Sequence, residues 1–240
     1  MDQNIRAKKL SIIIPAYNEE HRITETLFDI HNTMQGQLFD YEILVVNDGS
    51  RDNTADVVEA LQKQISKLYL INNSENHGKG WVIKQGMFRA VGNYRLFMDA
   101  DNSTRVQEIT KMLPYLQQGF DVVIGSRYIK ESDIVIKQPW VRSFPGKIFR
   151  IITHILIPTG VTDLTCGFKI FSEKAVNVIF PQQTIFRWSF DVELLFLAKR
   201  NKLKIKEIPV IWMDNNKSRV KFRDMVRSFF EIIQIRLRVW

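Results

Sequence analysis

Five short apolar runs, each broken off by a polar loop and most followed by a helical pattern, constrain this chain more than any other feature. They are Leu10–Pro15, Glu42–Asn47, Leu68–Ile71, Tyr94–Met98 and Asp121–Gly125. β-Branched residues crowd them, and they show little polar alternation. Such runs form strands buried on both faces. Helical patterns come between them: one starting near Glu19 or Glu20, one capped by Asp52 or Thr54 and reaching Leu61, one over 81–91 and one over 105–117. Strand and helix alternate to about residue 126, which predicts an α/β fold: a Rossmann-like, mostly parallel sheet with helices on both faces. Ligands of such sheets bind beyond the carboxyl ends of the strands. Polar loops 16–20, 47–50, 76–80 and 99–103 occupy those ends. None reads Gly-x-Gly-x-x-Gly or Gly-x-x-x-x-Gly-Lys-Ser/Thr, which excludes the usual dinucleotide and P-loop signatures.

The fourth run ends in Asp99-Ala100-Asp101. Residues i and i+2 of an extended backbone point the same way, so both carboxylates converge on one object. Two converging carboxylates favour a hard cation, Mg2+ or Mn2+, which is commonly shared with substrate phosphates. An isolated Asp-x-Asp is equally at home in a solvated turn; the neighbouring loops decide between the two.

The second half is less regular. A helix is predicted over Phe144–Ile157, a turn and strand over 163–171, a helix over Ser189–Lys199 and a strand over Lys204–Trp212. Lys221–Trp240 has a helical apolar period: Phe222, Met225, Val226, Phe229, Phe230, Ile233, Leu237 and Trp240 on one face, with Arg223, Arg227 and Arg238 pointing away. This suits a helix lying in a membrane interface, or a terminal helix packed on its own core. The expected division is a catalytic domain over 1–220 and a membrane-associating amphipathic helix over 221–240.

A net charge of +8 favours an anionic partner: nucleic acid, anionic lipid or a phosphorylated substrate. Cys166 is the sole cysteine, so no intrachain disulfide forms and a reducing compartment is expected. No stretch approaches the ~20 apolar residues needed to span a bilayer. A nucleic-acid module would account for the charge and leave the loops unexplained, so no nucleic-acid partner is expected.

The loops form a set. Ile14-Pro15-Ala16-Tyr17-Asn18-Glu19-Glu20, Val46-Asn47-Asp48-Gly49-Ser50, Asn76-His77-Gly78-Lys79-Gly80, Asp99-Ala100-Asp101, Gly125-Ser126-Arg127, Asp163–Lys169 and Arg187–Leu195 resemble the motifs of family 2 glycosyltransferases of the GT-A fold. More narrowly they resemble its polyprenyl-phosphate sugar transferases, the dolichyl-phosphate glucosyl and mannosyl branches. The last two motifs, with Trp212 and Ser218-Arg219, lean to the glucosyl branch. The chain departs from that pattern at Asn47, where Asp is usual, at Ser103, where the mannosyl branch often has Gln, and at Lys217, where Gly is usual.

The resemblance implies an inverting hexosyltransferase. It would take UDP-glucose, or GDP-mannose as the rival donor, and use a polyprenyl phosphate at the cytoplasmic face of a membrane. Its association there would be peripheral, with a separate membrane subunit as an alternative anchor. A saccharide acceptor is the further rival, and would require a base, for which Asp191 is the candidate. On this reading Pro15, Tyr17, Glu19, Asp48, Lys79, Asp99 and Arg219 hold the nucleotide sugar, and Asp99 and Asp101 the metal. Arg127 and Arg142 meet the acceptor phosphate. Asp191 meets sugar hydroxyls or orients an arginine.

Overall fold

A computed structural model describes residues 9–37, 39–136, 149–214 and 222–238. In chain order these form strand β1 (Leu10–Ala16), helix α1 (Ile23–Gln35), β2 (Tyr41–Asp48), α2 (Thr54–Gln62), β3 (Leu68–Asn73), α3 (Lys79–Arg89) and β4 (Tyr94–Met98). A 3-10 turn at Val106–Glu108 leads into α4 (Ile109–Gln117), β5 (Val122–Ser126) and β6 (Asp133–Ile136). A helical stretch over 149–156, α5, is followed by β7 (Phe168–Ser172), α6 (Glu173–Ile179), α7 (Phe190–Arg200), β8 (Ile205–Pro209), β9 (Ile211–Met213) and α8 (Phe222–Leu237).

The seven-stranded main sheet has the order β3-β2-β1-β4-β7-β5-β8. All five strands expected from the apolar runs are present in it. Its β3-β2-β1-β4 part is wholly parallel, whereas β7 pairs antiparallel with both β4 and β5. That reversal brings the start of β7, rather than its end, to the edge where the parallel strands finish. The loop over 163–167 thereby joins the polar loops predicted from the sequence.

Side-chain alternation along the strands splits the core in two. Ile12, Ile14, Ile43, Val45, Leu96 and Met98 face α1, α2 and α4. Ile13, Leu44, Val46 and Phe97 face α3, α6, α7 and α8. A continuous apolar run follows directly: a strand covered on both faces needs apolar residues in both registers.

Three expectations are corrected. The strand foreseen over Lys204–Trp212 is two strands: the chain leaves the main sheet at Val210, whose N–H donates to Ser126 O at 3.2 Å, and β9 then pairs with β6 in a separate ribbon. The helix foreseen near Glu19 begins at Ile23, because Asn18 adopts φ 55° and residues 17–20 make a turn. In α8, Arg238 does not point away: its guanidinium donates to the Glu193 carboxylate at 2.8 Å and to Thr184. The core contact of α8 is a polar-flecked stripe, Ser228, Glu231, Ile232 and Ile235, while Val226, Phe229, Phe230 and Leu237 are exposed.

Candidate active site

The loops at the carboxyl edge are built from their strands outward. After β1 and β2 the chain turns through 17–20 and 49–54, and the two turns knit together by short polar side chains. Asn18 N–H donates to Ser50 Oγ at 2.9 Å, and Arg51 N–H to Asn18 Oδ1 at 2.7 Å. Glu19 N–H donates to Thr54 Oγ1 at 2.7 Å, and Asn53 N–H to Glu20 Oε2 at 3.0 Å. Pro15 and Tyr17 are half-buried on this wall. Glu19 is nearly buried and its carboxylate is held by Arg22 at 2.6 Å. Asn47 spans to β3 and to its own turn: its amide donates to Asn72 Oδ1 at 2.7 Å, and its Oδ1 accepts from Ser50 Oγ at 2.5 Å.

Asp48 is buried at the end of β2 and turns toward the 76–78 loop. Its carboxylate accepts from His77 N–H at 2.7 Å, Gly78 N–H at 3.0 Å and Asn76 Nδ2 at 2.8 Å. Burial pushes its pKa up, against the pull of those backbone donors. Gly78 has φ 105°, and a Cβ there would lie 2.4 Å from Phe186 O, so only glycine passes between the two loops. Lys79 opens α3 and reaches Asp99 Oδ1 at 2.5 Å. Burial works to lower the lysine's pKa, and Asp99 followed by Asp191 outweighs it, leaving it raised.

Asp99 and Asp101 follow β4, as the sequence placed them. The Asp99 N–H donates to Gly167 O at 3.2 Å, and a Cβ on Gly167 would meet Asp99 Oδ2 at 2.1 Å. Glycine at 167 is therefore what admits the Asp99 carboxylate against the 163–167 loop. Asp101 accepts from Ser103 N–H at 3.0 Å, and its pKa is raised by burial first and by the Asp99 charge second. Asp101 is thus a partly buried carboxylate whose negative charge is strained, beside a second carboxylate already paired with an ammonium. A hard divalent cation fits that donor set, and Asp101, with Asp99 alongside, would hold it. Among the described residues no third His, Cys, Asp or Glu completes a protein cage.

On the other side of Asp99 the site is held by ion pairs. Arg127, at the end of β5, grips Asp163 with both edges of its fork, Nε to Oδ2 at 2.7 Å and Nη2 to Oδ1 at 2.8 Å, and reaches Thr165 Oγ1 at 3.0 Å. It lies 5.5 Å from the Trp212 ring and 5.3 Å from that of Tyr128. Burial works to raise the Asp163 pKa, and Arg127 more than cancels it, so the carboxyl sits below its ordinary value. Arg142 and Arg219 fall outside the described residues.

Asp191 lies in the first turn of α7. Its partner among the described residues is a lysine: Lys169 Nζ stands 2.5 Å from Asp191 Oδ1, and Lys169 is fully buried. Glu193 points elsewhere, accepting from Thr184 N–H at 3.0 Å, Ile185 N–H at 2.7 Å and Arg238. Lys169, Asp163 and Gly167 lie within the Asp163–Lys169 motif, whose pattern alone does not mark their roles. For Lys169 the signal was a cation inside Phe168-Lys169-Ile170-Phe171, an apolar strand run where a charge needs a buried partner. Burial pushes the Cys166 thiol up to about 12, leaving it protonated and inert as a nucleophile.

The chain matches the model for "Glycosyl transferase family 2" over residues 11–180. It is 34% identical over 247 residues to a dolichyl-phosphate beta-glucosyltransferase of Trichomonas vaginalis, covering 96% of this chain and 75% of that protein. To the Homo sapiens dolichyl-phosphate beta-glucosyltransferase it is 32% identical over 246 residues, covering 96% and 76%. Among solved structures, Mycobacterium tuberculosis glucosyl-3-phosphoglycerate synthase in complex with Mn2+, UDP and glucosyl-3-phosphoglycerate superposes with a TM-score of 0.72 at 18% identity, covering 96% of this chain and 80% of that one. Mannosyl-3-phosphoglycerate synthase from Rubrobacter xylanophilus gives a TM-score of 0.71 at 18% identity, covering 96% and 73%. These two share the fold.

Proposed function

The chain belongs to glycosyl transferase family 2, and on that premise we propose that it moves glucose from UDP-glucose onto a polyprenyl phosphate of the dolichyl type. It is a GT-A glycosyltransferase. The observation that carries the donor half of the reading is the Asp99–Asp101 pair at the end of β4, facing Lys79 across the carboxyl edge of the sheet. The names of its relatives carry the acceptor.

Each group has a task on this reading. Pro15, Tyr17, Glu19 and Asp48 belong to the wall that seats the nucleotide. The carboxylates of Glu19 and Asp48 act mainly by fixing their loops, since Arg22 and the 76–78 backbone occupy them. Asp101 would hold Mg2+ or Mn2+, which when bound would supply positive charge to a departing diphosphate. Lys79 keeps Asp99 neutralised and adds a cation next to the same diphosphate. A phosphate monoester is already anionic near neutral pH, its second pKa being about 6. Its oxygen needs aiming more than deprotonation. Attack in line on an α-linked donor breaks the bond from the anomeric carbon to the nucleotide oxygen and yields a β-linked product. Arg127, its charge balanced by Asp163, shapes the β5 side of the acceptor entrance as a hydrogen-bond donor; the motifs assign Arg142 to the acceptor phosphate and Arg219 to the nucleotide sugar.

Docking is peripheral, at the cytoplasmic face. No helix among the described residues is long and apolar enough to cross a membrane. The outward Val226, Phe229, Phe230 and Leu237 of α8, with Ile151 and Ile155 of α5, form the apolar surface for the interface.

One experiment tests the reading. A donor panel is run with polyprenyl phosphate in anionic liposomes and, separately, with a short-chain acceptor in detergent, with mass detection of the product. UDP-glucose should give the lipid-phosphate glucose in both. An F229S/F230S variant should lose most liposome turnover and keep turnover in detergent. A product only from GDP-mannose, or only on a saccharide acceptor, overturns the proposal.

A further inference from the structure

The innermost ion pair of the site has no task in the scheme above. Lys169 rises from β7 into the sheet's α7 face, fully buried, and lies 5.4 Å from the Phe97 ring. Phe190 and Phe171 pack around the same ring at 6.0 and 6.1 Å. In such surroundings an ion pair is a weak source of stability. Taking each charge out of water costs several kcal/mol, and well-packed apolar substitutes are often no worse. Stability therefore does not account for it, and its placement points elsewhere.

The ammonium makes two bonds, to Asp191 Oδ1 at 2.5 Å and to Cys166 O at 2.6 Å. The second bond pins the turn whose next residue, Gly167, accepts from Asp99 N–H and leaves room for the Asp99 carboxylate. One cation thus ties the seat of Asp99 to the first turn of α7. Among the described residues Asp191 receives no other hydrogen bond, so its second oxygen has no donor among them, and the side chain is buried. Burial pushes the Asp191 carboxyl up, while Lys169 and then Lys79 pull it down and Asp99 opposes them. Lys169 from β7 is in contact with Asp191, and Lys79 from α3 and Asp99 from the end of β4 act on it electrostatically.

We propose that Lys169 is a positioning residue: it fixes the Asp191 carboxylate in one orientation, so that its other oxygen accepts a hydroxyl of the donor hexose. The pair then reads the sugar, not the nucleotide. This rests on the donor being a nucleotide hexose and is independent of the acceptor.

The test compares wild type with K169M, D191N and K169M/D191N. Melting temperature, UDP affinity, UDP-glucose affinity and transfer kinetics are measured on each. Either single variant leaves one buried group without its partner and should melt lower; the double variant should recover most of that loss. UDP should bind all four alike. The preference for UDP-glucose over UDP should fall about tenfold or more in D191N, in K169M and equally in the double variant, as expected on losing one hydrogen bond to a charged group. A double variant that regains both melting temperature and sugar preference makes the pair structural only and overturns the proposal, as does a D191N with unchanged preference. If wild type fails to glucosylate polyprenyl phosphate while the sugar preference follows the expected pattern, the acceptor assignment falls and the role of Lys169 stands.

Discussion

The two walls of the site meet at Asp99 and are fixed by different chemistry. The β1–β2 wall is laced by Asn18, Glu20, Ser50, Asp52 and Thr54, whose side chains accept from the backbone of the neighbouring turn. The β5–β7 wall is held by long cations reaching buried carboxylates: Arg127 to Asp163, Lys169 to Asp191, and behind them Arg238 to Glu193. Neighbouring parallel strands deliver adjacent turns at the same height, so short polar groups suffice on the first wall. On the second wall an antiparallel strand is wedged between β4 and β5, and its leading loop must be tied across wider gaps. Neutral bonds each contribute about 1 kcal/mol and are individually dispensable. A buried ion pair behaves as a unit, tolerating loss of both charges better than loss of one.

Four substitutions would break or sharpen that contrast. The largest effect is on catalysis, at the seam between the walls. Asp101→Ala should lower transfer by ~10²–10³-fold or more, the scale of removing one charge contact to a transition state. Its melting temperature should hold or rise, because burial and Asp99 disfavour the Asp101 charge in the fold. Metal-dependent turnover at the wild-type rate would remove Asp101 from the site.

Next is Arg127→Met, which should cost about 3–5 kcal/mol in denaturant unfolding, since Asp163 is left charged and unpaired. Asp163 also supplies an acid signature. Its folded pKa is lowered, so its stabilising contribution is complete above the unfolded value of about 3.9 and is lost as pH falls through the folded value. Asp163→Asn should lack that acid-dependent part of the stability curve. A loss below 1 kcal/mol for Arg127→Met would erase the distinction between the walls. Smallest is Ser50→Ala on the opposite wall, expected to cost about 1 kcal/mol, with activity nearly retained. A collapse there would mean the short polar bonds act as one unit after all.

The two walls also differ in how far they can be read from the amino acids. The first four strands, the loops after them and the Asp99–Asp101 pair follow from local rules: apolar runs bounded by Pro, Asn, Asp and Gly. What those rules miss is non-local. Nothing near Phe168 in sequence says that β7 runs backwards between β4 and β5, because its partners lie about 75 and 45 residues earlier. The partner of Asp191 is 22 residues away on another element, and helical spacing says only which way Asp191 does not point. The face of α8 misled for a physical reason. Its richest apolar stripe is the exposed one, and the core accepts Ser228 and Glu231, which bond to Ser189 in front of α7.

The place of β7 also sets an order of assembly. As the chain leaves the ribosome, β1 to β4 complete a four-stranded parallel unit with β3 and β4 at its margins. The β4 margin then stays open until Phe168–Ser172 emerges, because β5 has no main-sheet partner other than β7 and the still later β8. An open strand margin is a template for pairing with another chain. Long-range pairing of this kind is slow, since loop closure precedes any gain from contact. The interval between synthesis of β4 and arrival of β7 is thus the stretch of biogenesis in which this protein is most exposed to misassembly. Chains halted within it should aggregate, whereas chains extended past β7 have that margin closed.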